Sequence, residues 1–331
     1  MSPKILITAA TGKTGYEAAA NLLKEGYHVR ILTRAISPKA KALEDLGAEI
    51  ALGDITNYVQ VSAALSNIST VYYCYPIAKG MPEAVSLFIK AATENRVTSV
   101  VFMGQWLAEF PNQQSLLTND IKKSYELLKQ SSLNVVYYNP GFFAENIVAL
   151  TESIVQLGIM PTPFGEGKCP WISAADQGRV IAALLKNPKP YYGKKIHPTG
   201  PRSIDAKEMA AIYSTITGGR VKLMPVSDDM FMKAVLAAAK EFGYDDFVAL
   251  QTVFYMQEFR KNRFAEGGPT DVVKTLTGRE PEDFEQIARG FINNSPYGKP
   301  SFSKKLSALA AFIKLMFVKL PSKKALEALN K

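Results

Sequence analysis

The sequence predicts an α/β fold, a doubly wound parallel sheet carrying a smaller, mainly helical C-terminal lobe. Three observations predict it. Through residues 1–140, apolar β-rich runs alternate with segments of helical period, which builds a parallel sheet with helices on both faces. The first run leads into a small-residue loop, "ILITAATGKTG" at 5–15. That strand–loop–helix order can hold a dinucleotide pyrophosphate against a helix N-terminus. After Asn139 the pattern changes to long helical stretches separated by Pro/Gly loops.

The elements follow in order. Strands are expected at 5–8, 29–33, 50–52, 71–75, 100–103 and 135–138. Helices fall between them, near 14–25, 38–46, 57–65, 82–95 and 117–132. Ligands of such sheets sit at the carboxyl ends of the strands, where the strand order reverses. Helical stretches follow at 144–157, 174–187, 205–217, 227–240, 246–262 and 281–292, with short strands at 195–199 and 221–224. The Pro/Gly stretches at 160–165 and 199–202 read as loops. The chain therefore divides into a dinucleotide-binding unit (1–140), a substrate lobe interleaved with that core (141–292), and a linker with a basic helix (293–331).

A chain of 331 residues, 47% hydrophobic and 21% charged, is long enough and ordinary enough in composition to bury a sizeable core. The net charge of +9 suggests nucleic acid until it is located. Residues 301–331 carry seven lysines against one acid, Glu327, so a net +6 belongs to the tail and +3 to the first 300 residues. The body has no nucleic-acid signal. Two cysteines, Cys74 and Cys169, cannot make a disulfide framework. No basic n-region precedes the strand that starts near Lys4, and no apolar run reaches the ~18 residues of a span. These features predict a cytoplasmic protein in a reducing compartment.

The loop residues carry the cofactor reading. Three-glycine spacing asks for Gly at 9, 12 and 15, and position 9 is Ala. Gly12 lets the backbone approach a pyrophosphate, and Gly15 lets the helix pack on the strand. Thr8, Thr11 and Thr14 offer hydroxyls and Lys13 a positive charge. Ala9 is costly only if the turn needs φ > 0 there. The second strand ends Thr33-Arg34. A site for NAD places an acid there to accept from the ribose hydroxyl, whereas Arg34 suits a 2′-phosphate, with Lys39 and Lys41 just beyond. The choice falls on NADP(H). Asp54 can cap the next helix or accept from an adenine amino group, with Ile55 beside it. Tyr75, Pro76, Gly104, Pro140, Gly141 and Phe142 stand at later strand ends, where the cofactor would pass. Cys74 reads as a small core residue.

Together "ILITAATGKTG", "ILTR" at 31–34, "GD" at 53–54, "VVFMGQ" at 100–105 and "NPGFFAEN" at 139–146 resemble the NmrA-like atypical short-chain dehydrogenases/reductases over roughly residues 3–290. The resemblance implies a Rossmann domain with a small C-terminal substrate domain and NADP(H) as ligand. It also implies two kinds of activity, since the family contains reductases of quinones, aromatic ethers and dyes as well as non-catalytic redox sensors that bind NADP and regulate a partner. Members usually carry Gly where this chain has Ala9. The last helix lies outside the resemblance.

A proton donor is harder to find. Short-chain reductases use Tyr-x-x-x-Lys, in which the lysine shares a helical face with the tyrosine and lowers its pKa. Three literal matches occur, Tyr75–Lys79, Tyr125–Lys129 and Tyr191–Lys195. With 15 tyrosines, roughly one is expected by chance. Only Tyr125–Lys129 lies on the right helix, at its last turn. The resemblance places the family lysine nearer the helix start, at the level of Ile121, which makes Lys122 the candidate. His28 and His197 read as structural. Two histidines, two cysteines and no acidic cluster leave no legible metal site.

Aromatics near the strand ends and in the lobe offer a pocket for a flat, apolar substrate: Trp106, Phe110, Phe143, Phe164, Trp171 and Phe254, with Asn146 as a polar member. Any of the rings can equally be core. In the tail, Leu306, Leu309, Ile313, Met316, Phe317 and Leu320 fall on one stripe of a helix over 304–324, flanked by lysines. The stripe either packs on its own domain or a sister subunit, giving a homodimer, or lies on an anionic membrane surface. The expected function is NADPH-dependent reduction of a hydrophobic, aromatic or conjugated small molecule such as a quinone, enone or imine. The alternative is a non-catalytic NADP(H)-sensing regulator with a protein partner.

Overall fold

The structure, a computed structural model, describes residues 4–148, 150–242 and 245–330. The first half runs β1 (Ile5–Ile7), α1 (Lys13–Lys24), β2 (Val29–Thr33), α2 (Pro38–Asp45), β3 (Glu49–Leu52), α3 (Tyr58–Leu65), β4 (Thr70–Tyr73), α4 (Met81–Glu94), β5 (Ser99–Met103), α5 (Leu116–Lys129) and β6 (Asn134–Tyr138). The second half runs α6 (Glu145–Val148), α7 (Thr151–Leu157), β7 (Ile159–Thr162), α8 (Ala174–Lys186), β8 (Lys195–Ile196), α9 (Ala206–Thr217), β9 (Lys222–Pro225), α10 (Asp228–Phe242), α11 (Asp246–Arg260), α12 (Val272–Thr277), α13 (Phe284–Asn294), α14 (Phe302–Met316) and α15 (Lys323–Leu329).

Seven parallel strands form one sheet in the order β3-β2-β1-β4-β5-β6-β8. The order reverses between β1 and β4, which opens a crevice at their carboxyl ends. Strand residues alternate between two cores, as a period of two requires. Ile5, Ile7, Ile31 and Tyr72 pack with α1, α2 and α8 on one face. Leu6, Leu32, Tyr73 and Phe102 pack with α3, α4 and α5 on the other. A third core, built round Phe142, Phe164, Trp171 and Phe259, fills the helical lobe.

Several boundaries differ from the sequence expectation. The stretch at 160–165 is not all loop, because β7 pairs in parallel with β9. Pro161 is tolerated there because a two-stranded ribbon is all edge. The helix expected over 144–157 is two, α6 and α7. The strand expected at 195–199 shortens to β8, which joins β6 at the sheet edge. With α8 packed on α1, the region after residue 140 returns a strand and a helix to the sheet.

The tail is more tightly held than a linker and one helix. α13 runs to Asn294, and the segment after it is pinned by the buried Gln156, whose amide donates to the carbonyls of Tyr297 (2.9 Å) and Lys299 (3.0 Å) and accepts from Ser301 N (3.0 Å). The helix expected over 304–324 ends at Met316 and restarts at Lys323 behind the Ser322 cap. Leu320 turns inward with Val318, Leu326 and Leu329 against a small core of α10 and α11, so it leaves the stripe.

Candidate functional site

At the end of β1 the chain turns sharply. Gly12 N donates to Ala9 O at 2.9 Å, closing the turn. Ala9 has φ +48°, the left-handed region. The first glycine position therefore keeps its backbone shape with a methyl group on it. Gly15 has no such latitude, since a Cβ there would lie 2.5 Å from Ala9 O; at Gly12 it would lie 3.1 Å from the same atom. Gly12 is the N-cap of α1 and supplies no side-chain cap. Ser37 by contrast caps α2 by accepting from Ala40 N, and Ser115 caps α5 by accepting from Thr118 N. The first-turn amides of α1 are thus left to an anion, as at dinucleotide sites.

Not every predicted loop residue faces the crevice. The Thr8 hydroxyl accepts from Cys74 N (2.7 Å) and donates to Cys74 O (3.1 Å), stitching β1 to the end of β4. Thr14 is buried, its hydroxyl 3.0 Å from the Tyr72 phenol. Thr11 is half-buried in the turn. Lys13 Nζ donates to Asn146 Oδ1 at 2.9 Å, joining the start of α1 to α6, the helix after β6. Burial of this ammonium among its neighbours lowers its pKa, Glu145 opposes that and Lys39 adds to it. Glu145 itself is raised by burial; one oxygen accepts from Ala174 N (2.7 Å).

The basic residues divide. Arg34 is exposed just after β2 and contributes to holding the Asp54 carboxyl below its ordinary range. Lys39 lies 5.7 Å from the centre of the Tyr16 ring, on α1. Lys41 faces elsewhere and pairs with Glu44 and Asp45. Asp54 does not cap the next helix. Its Oδ1 accepts from Thr56 N (2.8 Å) and Oγ1 (2.6 Å), the main cause of its lowered pKa, and Asn57 caps α3 instead. Ile55 is partly buried against the α3–α5 core.

Tyr75 and Pro76 begin the loop after β4, and the Tyr75 phenol donates to Lys79 O at 2.9 Å rather than meeting that lysine's ammonium. Lys79 Nζ reaches back to Ala328 O (3.3 Å), and Asn330 exchanges hydrogen bonds with Gln114 O (2.9 Å) and Leu116 N (3.1 Å). The end of the chain therefore lies over the rim of the crevice. Nothing in the sequence pattern signals this contact.

The expected proton donors are engaged inside the fold. Tyr125 is buried directly beneath Gly104, where a Cβ would fall 1.9 Å from its phenol oxygen. That phenol donates to Asn139 Oδ1 (2.5 Å), and burial pushes its pKa well up. Lys129 pairs with Glu126, so the i, i+4 spacing yields no dyad. Lys122 Nζ donates to Phe110 O, and burial lowers its pKa. Both residues border a cluster the sequence did not reveal. Glu109 accepts from Asn139 Nδ2 (2.7 Å) and Lys195 Nζ (2.7 Å), and His197 Nε2 lies 3.5 Å away. Burial raises the Glu109 pKa, but His197 and Lys195 outweigh it and bring it down to about 2.

The aromatic pocket is smaller than the sequence suggests. Phe164 and Trp171 are fully buried, and Phe142 packs edge-on to Trp171, Phe259 and Phe264. Trp106 is buried with its indole N–H donating to Arg263 O (2.9 Å). Phe254 packs against the α10–α11 core. These rings are core, the usual fate of large aromatics. Phe143 and Phe110 remain half-buried, with the Arg263 guanidinium 5.0 Å from the Phe110 ring centre. Gly141 is fixed by its amide donating to Pro198 O (2.9 Å), which leads Pro140 and Phe142 out of the sheet. Both cysteines are free thiols; burial pushes Cys74 up to about 11 and Cys169 further. Among the described residues no His/Cys/Asp/Glu group could hold a metal, and no helix is long and apolar enough to cross a membrane.

Comparison with known proteins accords with this arrangement. The model of the NmrA-like family matches residues 1–286. An NAD(P)H azoreductase of Xenophilus azovorans is 24% identical over 290 residues, 86% of this chain and 96% of the relative. An NADPH-dependent quinone oxidoreductase of Escherichia coli, solved with NADPH, superposes with a TM-score of 0.75 at 19% identity, covering 87% of this chain and 100% of that one. NmrA, a negative transcriptional regulator solved with NADP, superposes with a TM-score of 0.71 at 15% identity, covering 90% and 99%.

Proposed function

The chain belongs to the NmrA-like family, and we propose that within it this protein is an NADPH-dependent reductase of a hydrophobic, conjugated small molecule. One observation carries the reading: the uncapped N-terminus of α1, behind the Ala9–Gly12 turn, lies on the same crevice as Arg34 and Lys13. The residues present fit a dinucleotide, because Gly12 leaves the first-turn amides of α1 without a side-chain cap and Gly15 lets that helix pack close behind the Ala9 turn. The α1 amides and Lys13 would hold the pyrophosphate, and Arg34 and Lys39 a 2′-phosphate. Asp54 and Ile55 would meet the adenine, and Tyr75, Pro76, Gly104 and Gly141 the nicotinamide half. Such a cofactor, when bound, supplies a hydride to an electrophilic carbon or nitrogen of the substrate. Phe143 and Phe110 would offer the substrate apolar surface, and Asn146 on α6, held by Lys13, would fix the segment that follows Phe143.

The proton reaches the product from water or from the substrate's own exchangeable group, because Tyr125 and Lys122 are committed to internal acceptors. That same commitment favours a second reading, an NADP(H)-sensing binder without turnover. Purified protein is titrated with NADPH and then given quinones, azo dyes and enones while absorbance of NADPH is followed. Consumption of NADPH supports the reductase. Tight binding with no consumption across the panel supports the sensor.

A further inference from the structure

We propose that the outward face of α14 binds an anionic membrane surface, lying in the plane of the headgroups. Phe302, Leu306, Leu309, Ile313, Met316 and Phe317 are each between 45% and 80% exposed. At 100° per residue the six fall within one arc of about 100°. Lys305 borders the arc on one side and Lys314 on the other, beyond Ala310 and Ser303. Soluble proteins rarely leave a contiguous apolar ridge of this size bare.

The ridge belongs to a helix that is held at both ends. The opposite face of α14 packs on α7 and α10 through Ala308, which is buried. Gln156 clamps the approach to it, and Lys233 Nζ donates to Met316 O (3.3 Å) at its far end. The stripe is therefore the outer face of a helix packed on the body of the protein. A 15-residue helix is too short to span a bilayer but suits an in-plane position.

Charge decides the occupant. Residues 301–331 contain seven lysines and a single acid, Glu327, which lies on α15 rather than on the stripe. A second copy seated face to face would bring the flanking Lys305 and Lys314 of both copies together at the edges of an isologous contact. Anionic headgroups meet the same lysines favourably, each adding to the attraction within a Debye length.

The test is vesicle flotation of the full chain with phosphatidylcholine alone and with phosphatidylcholine mixed with phosphatidylglycerol. The expected result is about ten-fold more bound protein on the anionic vesicles, reduced by raised salt. Leu309→Glu with Ile313→Glu abolishes that binding without lowering the melting temperature, because both side chains already face solvent. Lys305→Gln with Lys314→Gln, which leaves the ridge apolar, removes most of the preference for anionic vesicles. Equal binding to both vesicle types, or none to either, overturns the proposal. So does a wild-type dimer in light scattering that the Leu309→Glu/Ile313→Glu variant splits into monomers, which would identify the face as a contact between copies.

Discussion

Lys13 Nζ and Asn146 Oδ1 meet at 2.9 Å across the crevice, although 133 residues separate them in the chain. The contact ties the first turn of α1 to α6, the helix that leads into the lobe. It also holds an ammonium whose pKa burial already lowers, carried by the first residue of α1. An anion arriving there would exchange a neutral amide partner for a charged one. Lys13→Met is expected to weaken NADPH and NADH alike, by about ten-fold, the lower end for losing a charge-assisted bond at a solvent-reached site. Parallel fluorescence titrations with the two nucleotides check it. A loss confined to NADPH would move Lys13 to the 2′-phosphate.

Arg34 makes the complementary prediction. It lies at the end of β2, where an acid would select NAD. Arg34→Ala is expected to raise the Kd for NADPH about ten- to a hundred-fold and leave NADH within about two-fold. Equal losses for both nucleotides would show that Arg34 does not read the phosphate.

Ala9 stores strain. A non-glycine residue at φ +48° costs about 1–2 kcal/mol, whereas placing glycine there costs about 0.4–1 kcal/mol in unfolded-chain entropy. The first is larger, so Ala9→Gly is expected to stabilise the fold by about 0.5–1 kcal/mol. Denaturant unfolding of the two proteins checks the sign. The turn's shape should survive, with nucleotide affinity changed by less than about three-fold.

Glu109 predicts a pH dependence. Its pKa lies at about 2 in the fold, below the ordinary carboxylate value, because the neighbouring His197 and the hydrogen-bonded Lys195 outweigh burial. A depressed folded-state pKa contributes stability above the unfolded value of about 4.3, and that stability is lost as pH falls toward 2. Glu109→Gln is expected to be less stable than the parent by about 1–3 kcal/mol near pH 7, the range allowing for partial exposure of the carboxylate. The difference should shrink below pH 4 and vanish only below pH 2, once the carboxyl is protonated in the fold as well. A constant difference across that range would assign the loss to packing.

Much of the fold was legible. The alternation at 5–8, 29–33 and 71–75 specified parallel strands because strands buried on both faces must be apolar throughout. Gly12 and Gly15 marked the turn because side chains there would strike Ala9. The site was less legible for a physical reason. Sequence spacing reports which residues share a helical face, but not what that face meets. Tyr125 and Lys129 have the i, i+4 spacing, yet one is buried under Gly104 and the other reaches Glu126. Phe164 and Trp171 look alike in composition to pocket residues, and packing made them core.

By itself, then, the sequence determined the sheet, its first phosphate-type turn, the basic residue at the end of β2 and the amphipathic tail, because each is a local pattern of side-chain size, charge and period. Only the tertiary structure decided that Lys13 meets Asn146, that Glu109 gathers Lys195, His197 and Asn139, that Asn330 returns to residues 114–116, and that Leu320 turns inward while Phe302 stays bare. Those contacts join distant parts of the chain, and their partners are set by how the layers stack rather than by neighbours in sequence.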